Sequence, residues 1–166
     1  SAAVLAPFPG LPADQYTYVL IYALVSAILL TVFLSSLVRI FRLFILSEKM
    51  QFMGHRILVS NETPSPFSFF GWIFIPSGLI QEEEASNIVT HESIHAAQYH
   101  TADNILVEMT AVVMWFNPLV WMMKKSVHLL HEYLADEGTL GKGIDRVKYQ
   151  SLLLNQAAEG RLISLS

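Results

Sequence analysis

From Tyr16 to Val38 the chain carries no charge, no proline and no glycine. A helix rising about 1.5 Å per residue reaches roughly 34 Å over that stretch, enough to cross a hydrocarbon core of about 30 Å with some tilt. The pattern predicts a transmembrane helix with an extension to residue 46. Tyr16, Tyr18 and Tyr22 suit the headgroup level near its start, and the run lacks the basic leader and cleavage site of a secretory signal. No Lys or Arg precedes position 39, whereas Arg39, Arg42, Lys49 and Arg56 follow closely. The positive-inside bias then predicts residues 1–15 outside and residues 47–166 in the cytoplasm.

Residues 51–80 change character. Arg56-Ile57-Leu58-Val59-Ser60 precedes the turn-rich Asn61 to Pro66, and Phe67-Ser68-Phe69-Phe70-Gly71-Trp72-Ile73-Phe74-Ile75-Pro76 follows. Aromatic and β-branched residues between Pro and Gly punctuation predict a hairpin or small sheet with an edge strand near Phe67 to Ile75, where an extended peptide can add. Gln81 to Asn117 has neither Gly nor Pro and opens on Glu82-Glu83-Glu84, which favours a helix N-terminus. That helix is expected to run to Tyr99, with a break near Thr101 to Asp103. A second apolar helix starts at Ile105 and is interrupted at Asn117-Pro118, where Asn caps and Pro opens a third, expected to stop at Gly138. Asp145 can cap a last amphipathic helix, Arg146 to Ala158. The fold class is thus mainly α with a small β element, an α+β domain behind a membrane helix.

Composition agrees. Hydrophobic residues make up 53% and charged ones 14% of 166 residues, with a mean hydropathy of +0.45, against about 25% charged in a soluble domain. The net charge of -4 offers no basic face for nucleic acid. With no cysteine, any metal must be held by His, Asp or Glu. The chain reads as a piece of a longer protein.

The sharpest chemistry is His91-Glu92-Ser93-Ile94-His95. Residues four apart lie about 40° around a helix, so both imidazoles can bind one Zn²⁺ while Glu92 stands beside the attacking water as general base. A catalytic zinc wants a third protein ligand and an open position. Gln98 and Thr101 stand where a metzincin needs Gly and His, and His100 on a continued helix would be about 140° from His95, on the wrong face. The downstream cluster His128-Leu129-Leu130-His131-Glu132-Tyr133-Leu134-Ala135-Asp136 is the better source. By spacing Glu132 and His128 rank equally as third ligand. Asp136 can hydrogen-bond the far nitrogen of a ligand imidazole, His128 or His131 can instead bind the metal or stabilise an oxyanion, and Tyr133 can donate to a tetrahedral intermediate, although packing is the commoner role of such a tyrosine. A shared ion also demands an even number of membrane crossings between His91 and Glu132, most simply none. Ile105 to Met123 should therefore form a helical hairpin, buried or lying against the membrane, with Trp115, Phe116 and Trp121 at the interface.

Taken together, Thr63 to Phe70, Ile73-Phe74-Ile75-Pro76, His91 to His95, Trp115-Phe116-Asn117-Pro118 and His131 to Asp136 resemble the BlaR/MecR-type (antirepressor-like) membrane zinc metallopeptidases over residues 16–158. The resemblance implies a transmembrane bundle with a cytoplasmic zincin domain, and Glu132 as third zinc ligand in a two-His, one-Glu gluzincin site. It further implies a regulatory endopeptidase of a bacterial inner membrane that cleaves itself or a partner regulator in signalling. Separately, a second copy of the chain is a candidate partner. No penicillin-binding sensor is recognisable in these residues, so β-lactam sensing is not implied. Phe67, Ser68, Phe69 and Phe70 are the expected substrate edge. The competing expectations are a non-catalytic receptor segment with a structural zinc, His128 filling the fourth position, and a metal-free membrane scaffold.

Overall fold

The computed structural model describes residues 13–81 and 85–143, together with 147, 149 and 151. Helix α1, Ala13–Leu46, contains the whole apolar run. The apolar window of its 32-residue stretch Gln15–Leu46 buries nothing inside the protein. It is long enough to span a membrane and is not a core helix. Its last turns pack on the sheet.

A single residue, Ser47, separates α1 from strand β1, Glu48–Phe52, which pairs antiparallel with β2, His55–Ser60. The Met53-Gly54 turn has φ of 52° and 80° at its two positions, the positive pair that a two-residue hairpin needs to match strand twist. Phe70 and Gly71, with φ of 43° and 82°, repeat the device between β3, Phe67–Phe69, and β4, Trp72–Pro76. The two hairpins join through a parallel β2–β4 pair, Ile57 facing Ile73 and Val59 facing Ile75, in the order β1-β2-β4-β3. The expected small sheet is present, but the edge is confined to Phe67–Phe69. Residues 72–76 lie in a central strand, paired on both sides.

That central pair is buried on both faces. Ile57, Ile73 and Ile75 pack with Val89 on one side, while Leu58 and Phe74 pack with Leu43 on the other. Phe44 meets Trp72 edge to face at 5.1 Å between ring centroids. The sheet is thus a middle layer between the end of α1 and helix α2, Ala85–Ala97.

Helix α3, His100–Val113, follows after Gln98 and Tyr99. The break therefore precedes its expected place at Thr101 to Asp103, because Tyr99 takes a left-handed φ of 57° with no glycine to announce it. Helix α4, Pro118–Gly141, starts as the sequence predicts: the Asn117 side chain accepts from Leu119 N at 3.0 Å and Pro118 is the first helical residue. It does not stop at Gly138. A Cβ there would meet Ile94 of α2 at 3.0, 3.1 and 3.3 Å, so the glycine permits close helix approach instead of ending a helix. The expected N-terminal Glu82-Glu83-Glu84 falls outside the described residues. So does the last expected helix, except positions 147, 149 and 151, which are helical.

Candidate metal centre

On α2 the four-residue spacing stacks the two imidazoles, with Nε2 of His91 and Nε2 of His95 3.1 Å apart. From α4, Glu132 reaches them: Oε2 lies 3.7 Å from His91 Nε2 and Oε1 3.8 Å from His95 Nε2. The three ligand atoms lie within 4.8 Å of one another. Zinc bonds of about 2.0–2.2 Å at tetrahedral angles would set neighbouring donors about 3.3 Å apart. The two imidazole nitrogens are already close to that spacing, and one carboxylate oxygen would have to move inward by up to about 1.5 Å to share the ion. His128 shares a cavity with this cluster but is an exposed residue, and among the described residues it makes no hydrogen bond or ion pair with either histidine. Of the two candidates that spacing ranked equally, the fold brings Glu132 to the histidines.

The outer nitrogens decide which way each imidazole faces. Tyr149 Oη donates to Asp136 Oδ1 at 2.8 Å and lies 2.6 Å from His91 Nδ1. The hydroxyl therefore accepts from Nδ1–H, and Asp136 Oδ1 itself lies 3.3 Å from the same nitrogen. That fixes the tautomer with a lone pair on His91 Nε2, pointing at the cluster. His95 Nδ1 lies 2.7 Å from His100 Nδ1. If His95 donates, its Nε2 is likewise left as a ligand atom. Asp136 thus lies against the outer nitrogen of His91. Tyr149 and His100 were missed. Tyr149 sits 58 positions from its partner. A continuous helix would carry His100 to the wrong face; the turn at Tyr99 returns it beneath His95, buried, with its ring stacked on His131 at 3.8 Å and 11°.

His131 is buried and its Nε2 lies 3.3 Å from Asp103 Oδ2, which holds it in the support of the site. Tyr133 is 63% exposed, neither packed nor lining the cavity. That cavity, about 170 Å³, is bounded by Glu92, His95 and Glu132 on the helices and by Pro66, Phe67 and Ser68 at the sheet edge. Phe69 lines an adjoining cavity against α1, and Phe70 is exposed at its turn. Thr101 stands at this edge: its hydroxyl donates to Ser68 O and accepts from Phe70 N, both at a long 3.4 Å.

Electrostatics follow from burial. Glu92 is held up to about 7 by burial, with His91 opposing the rise and the charge of Glu132 adding to it. His95 is held down to about 4 by burial and by the neighbouring His91, so it is neutral near pH 7, as a ligand must be. Burial acts to lower His91, but its hydrogen bond to Glu132 and the charges of Glu92, Asp136 and Glu132 raise it. Glu132, bonded to His91, is held below the ordinary carboxylate range.

No curated protein matches this chain. The sequence model of one family does, over residues 44–165, which takes in the sheet, both histidines, Glu92, Glu132 and Asp136. On that match the chain belongs to the BlaR1 peptidase M56 family, whose members are membrane-associated metallopeptidases.

Proposed function

We propose that this protein is a zinc-dependent endopeptidase anchored in a bacterial inner membrane by α1, with its active site facing the cytoplasm, and that it acts in signalling by cleaving itself or a partner protein. The observation that carries the reading is the convergence of His91, His95 and Glu132 from two helices on one point. The donor set of two imidazoles and one carboxylate matches the chemistry of catalytic zinc. Bound there, the ion supplies positive charge that polarises a peptide carbonyl and acidifies water.

The protein's own groups do the rest. Glu92, ionisable near neutral pH, takes a proton from the attacking water and returns it to the leaving amine. Asp136 and Tyr149 keep His91 aimed inward, and His100 does the same for His95. The Phe67–Phe69 edge borders the cavity, so an extended peptide that displaces the long Thr101 contacts gains main-chain hydrogen bonds there. The basic residues Arg39, Arg42, Lys49 and Arg56 after the apolar run support the cytoplasmic orientation. A structural site with His128 as fourth ligand finds no support in an exposed side chain unbonded to the cluster.

Glu92→Gln tests the assignment. The variant should bind one zinc per chain and lose peptide cleavage by about 10²-fold or more. Cleavage by that variant at the wild-type rate would sink the mechanism.

A further inference from the structure

The turn joining α3 to α4 is apolar where a water-facing turn would be polar. Met109 to Met123 holds no charged residue. Met109, Val113, Phe116, Leu119 and Met122 are each more than half exposed. This surface is continuous with the spanning part of α1. Tyr22 Oη donates to Val113 O at 2.9 Å, and the Tyr22 ring packs on Trp115 and Phe116, each at 6.4 Å. Tyr22 lies only six positions into the apolar run that begins at Tyr16. The turn therefore lies alongside membrane-spanning helix, far from the Leu43 end where the sheet packs.

Backbone at that depth must satisfy its own polar groups, and this turn largely does. Met114 N bonds Thr110 O, Asn117 N bonds Met114 O, Val120 N bonds Asn117 O, and Leu119 N is capped by the Asn117 side chain. Trp121 Nε1 donates to Trp115 O at 2.8 Å. Of the buried side-chain polar atoms between residues 105 and 123, only Trp115 Nε1 lacks a partner. Charge returns as a pair, Glu108 on α3 bonded to Lys124 on α4, with Lys124 also 5.7 Å from the Trp121 ring centroid. A neutralised pair is the form in which charge is tolerated near hydrocarbon. The adjacent Lys125 has a stem long enough to reach headgroups.

We infer that the α3–α4 turn, Met109 to Met123, is a re-entrant hairpin whose exposed apolar face is covered by lipid acyl chains, entering and leaving the bilayer on the face that carries the metal centre. The inference rests on α1 crossing the membrane and not on the enzymatic reading. It would set the His91–His95–Glu132 cluster at the lip of the bilayer, fixed there by two elements instead of one.

Because the chain has no cysteine, single-cysteine variants give unambiguous labelling. A nitroxide would be placed at Leu119→Cys, Met122→Cys, Leu24→Cys in α1 and Ser65→Cys in the sheet loop, in the full chain in phosphatidylcholine–phosphatidylglycerol nanodiscs. Collision with oxygen and with a water-soluble nickel chelate is then read at each site. The expected result is an oxygen-to-nickel ratio at 119 and 122 close to that at 24, and at least tenfold above that at 65. A ratio at 119 and 122 equal to that at 65 overturns the inference by placing the hairpin in water. Protection from both colliders overturns it in favour of a protein cover, such as a second copy. A water-like reading at Leu24 overturns the membrane span itself and this inference with it. Two hairpin sites guard against one poorly folded variant.

Discussion

Replacing Gly138 with alanine sets two magnitudes against each other. Inside a helix the change gains about 1 kcal/mol of propensity. The added methyl would stand 3.0, 3.1 and 3.3 Å from Cγ2, Cδ1 and Cγ1 of Ile94. Since the contacts span the whole β-branched side chain, and helical isoleucine holds one χ1 rotamer, no rotation relieves them; overpacking of this kind costs about 1–3 kcal/mol. The net expectation is a loss of about 1 kcal/mol, or roughly 2–4 °C in Tm for a chain of this size. Ile94→Ala removes all three contacted atoms, at its own cost of about 2–5 kcal/mol. In that background Gly138→Ala should stabilise, giving a coupling of about 2 kcal/mol in the double-mutant cycle. Thermal unfolding of the four proteins in detergent micelles measures it. If Gly138→Ala raised Tm equally in both backgrounds, the close approach of α2 and α4 at this point would be refuted. Ile94 adjoins His95, so the single variant should also weaken metal binding.

Asp136→Asn and Tyr149→Phe should each lower zinc affinity by about 10–100-fold in competition with a chromophoric chelator, because the outer nitrogen of His91 loses a partner; unchanged affinity in both would remove their orienting role. His100→Ala should act likewise through His95, with zinc stoichiometry retained. In metal-depleted protein Glu92 titrates near 7 instead of the ordinary 4.5. A raised pKa gives a contribution fully present below pH 4.5 and lost as pH rises through 7. A rise from 4.5 to about 7 is worth at most about 3 kcal/mol. Glu92→Gln should therefore raise the Tm of the metal-depleted protein more at pH 8 than at pH 4.5, and an equal shift at the two values would contradict the burial of this carboxyl.

What the sequence disclosed depends on how local each feature is. His91, Glu92 and His95 lie within a five-residue window, so helical spacing alone assembles them. Asn117-Pro118 was equally plain because capping is written in adjacent residues. Glu132 could not be separated from His128 by spacing, since both lie on one face of α4 and the choice depends on how α2 packs against it. The left-handed turn ahead of His100 falls on Tyr99, with no glycine to signal it, and Gly138 looks like a helix stop in sequence although it serves the close approach of Ile94. The parallel pairing of β2 with β4 and the hydroxyl of Tyr149 are products of distant chain segments meeting. No local pattern encodes them.

The junction between α1 and the sheet contains Ser47 and nothing else, and Leu43 and Phe44 are wedged against Leu58, Phe74 and Trp72. Such a joint has no slack. The opposite surface of the central strands packs on Val89, two positions before His91. Through that shared sheet the end of the apolar helix and the helix bearing His91 and His95 form one rigid stack, so a tilt imposed on the first would be felt by the second.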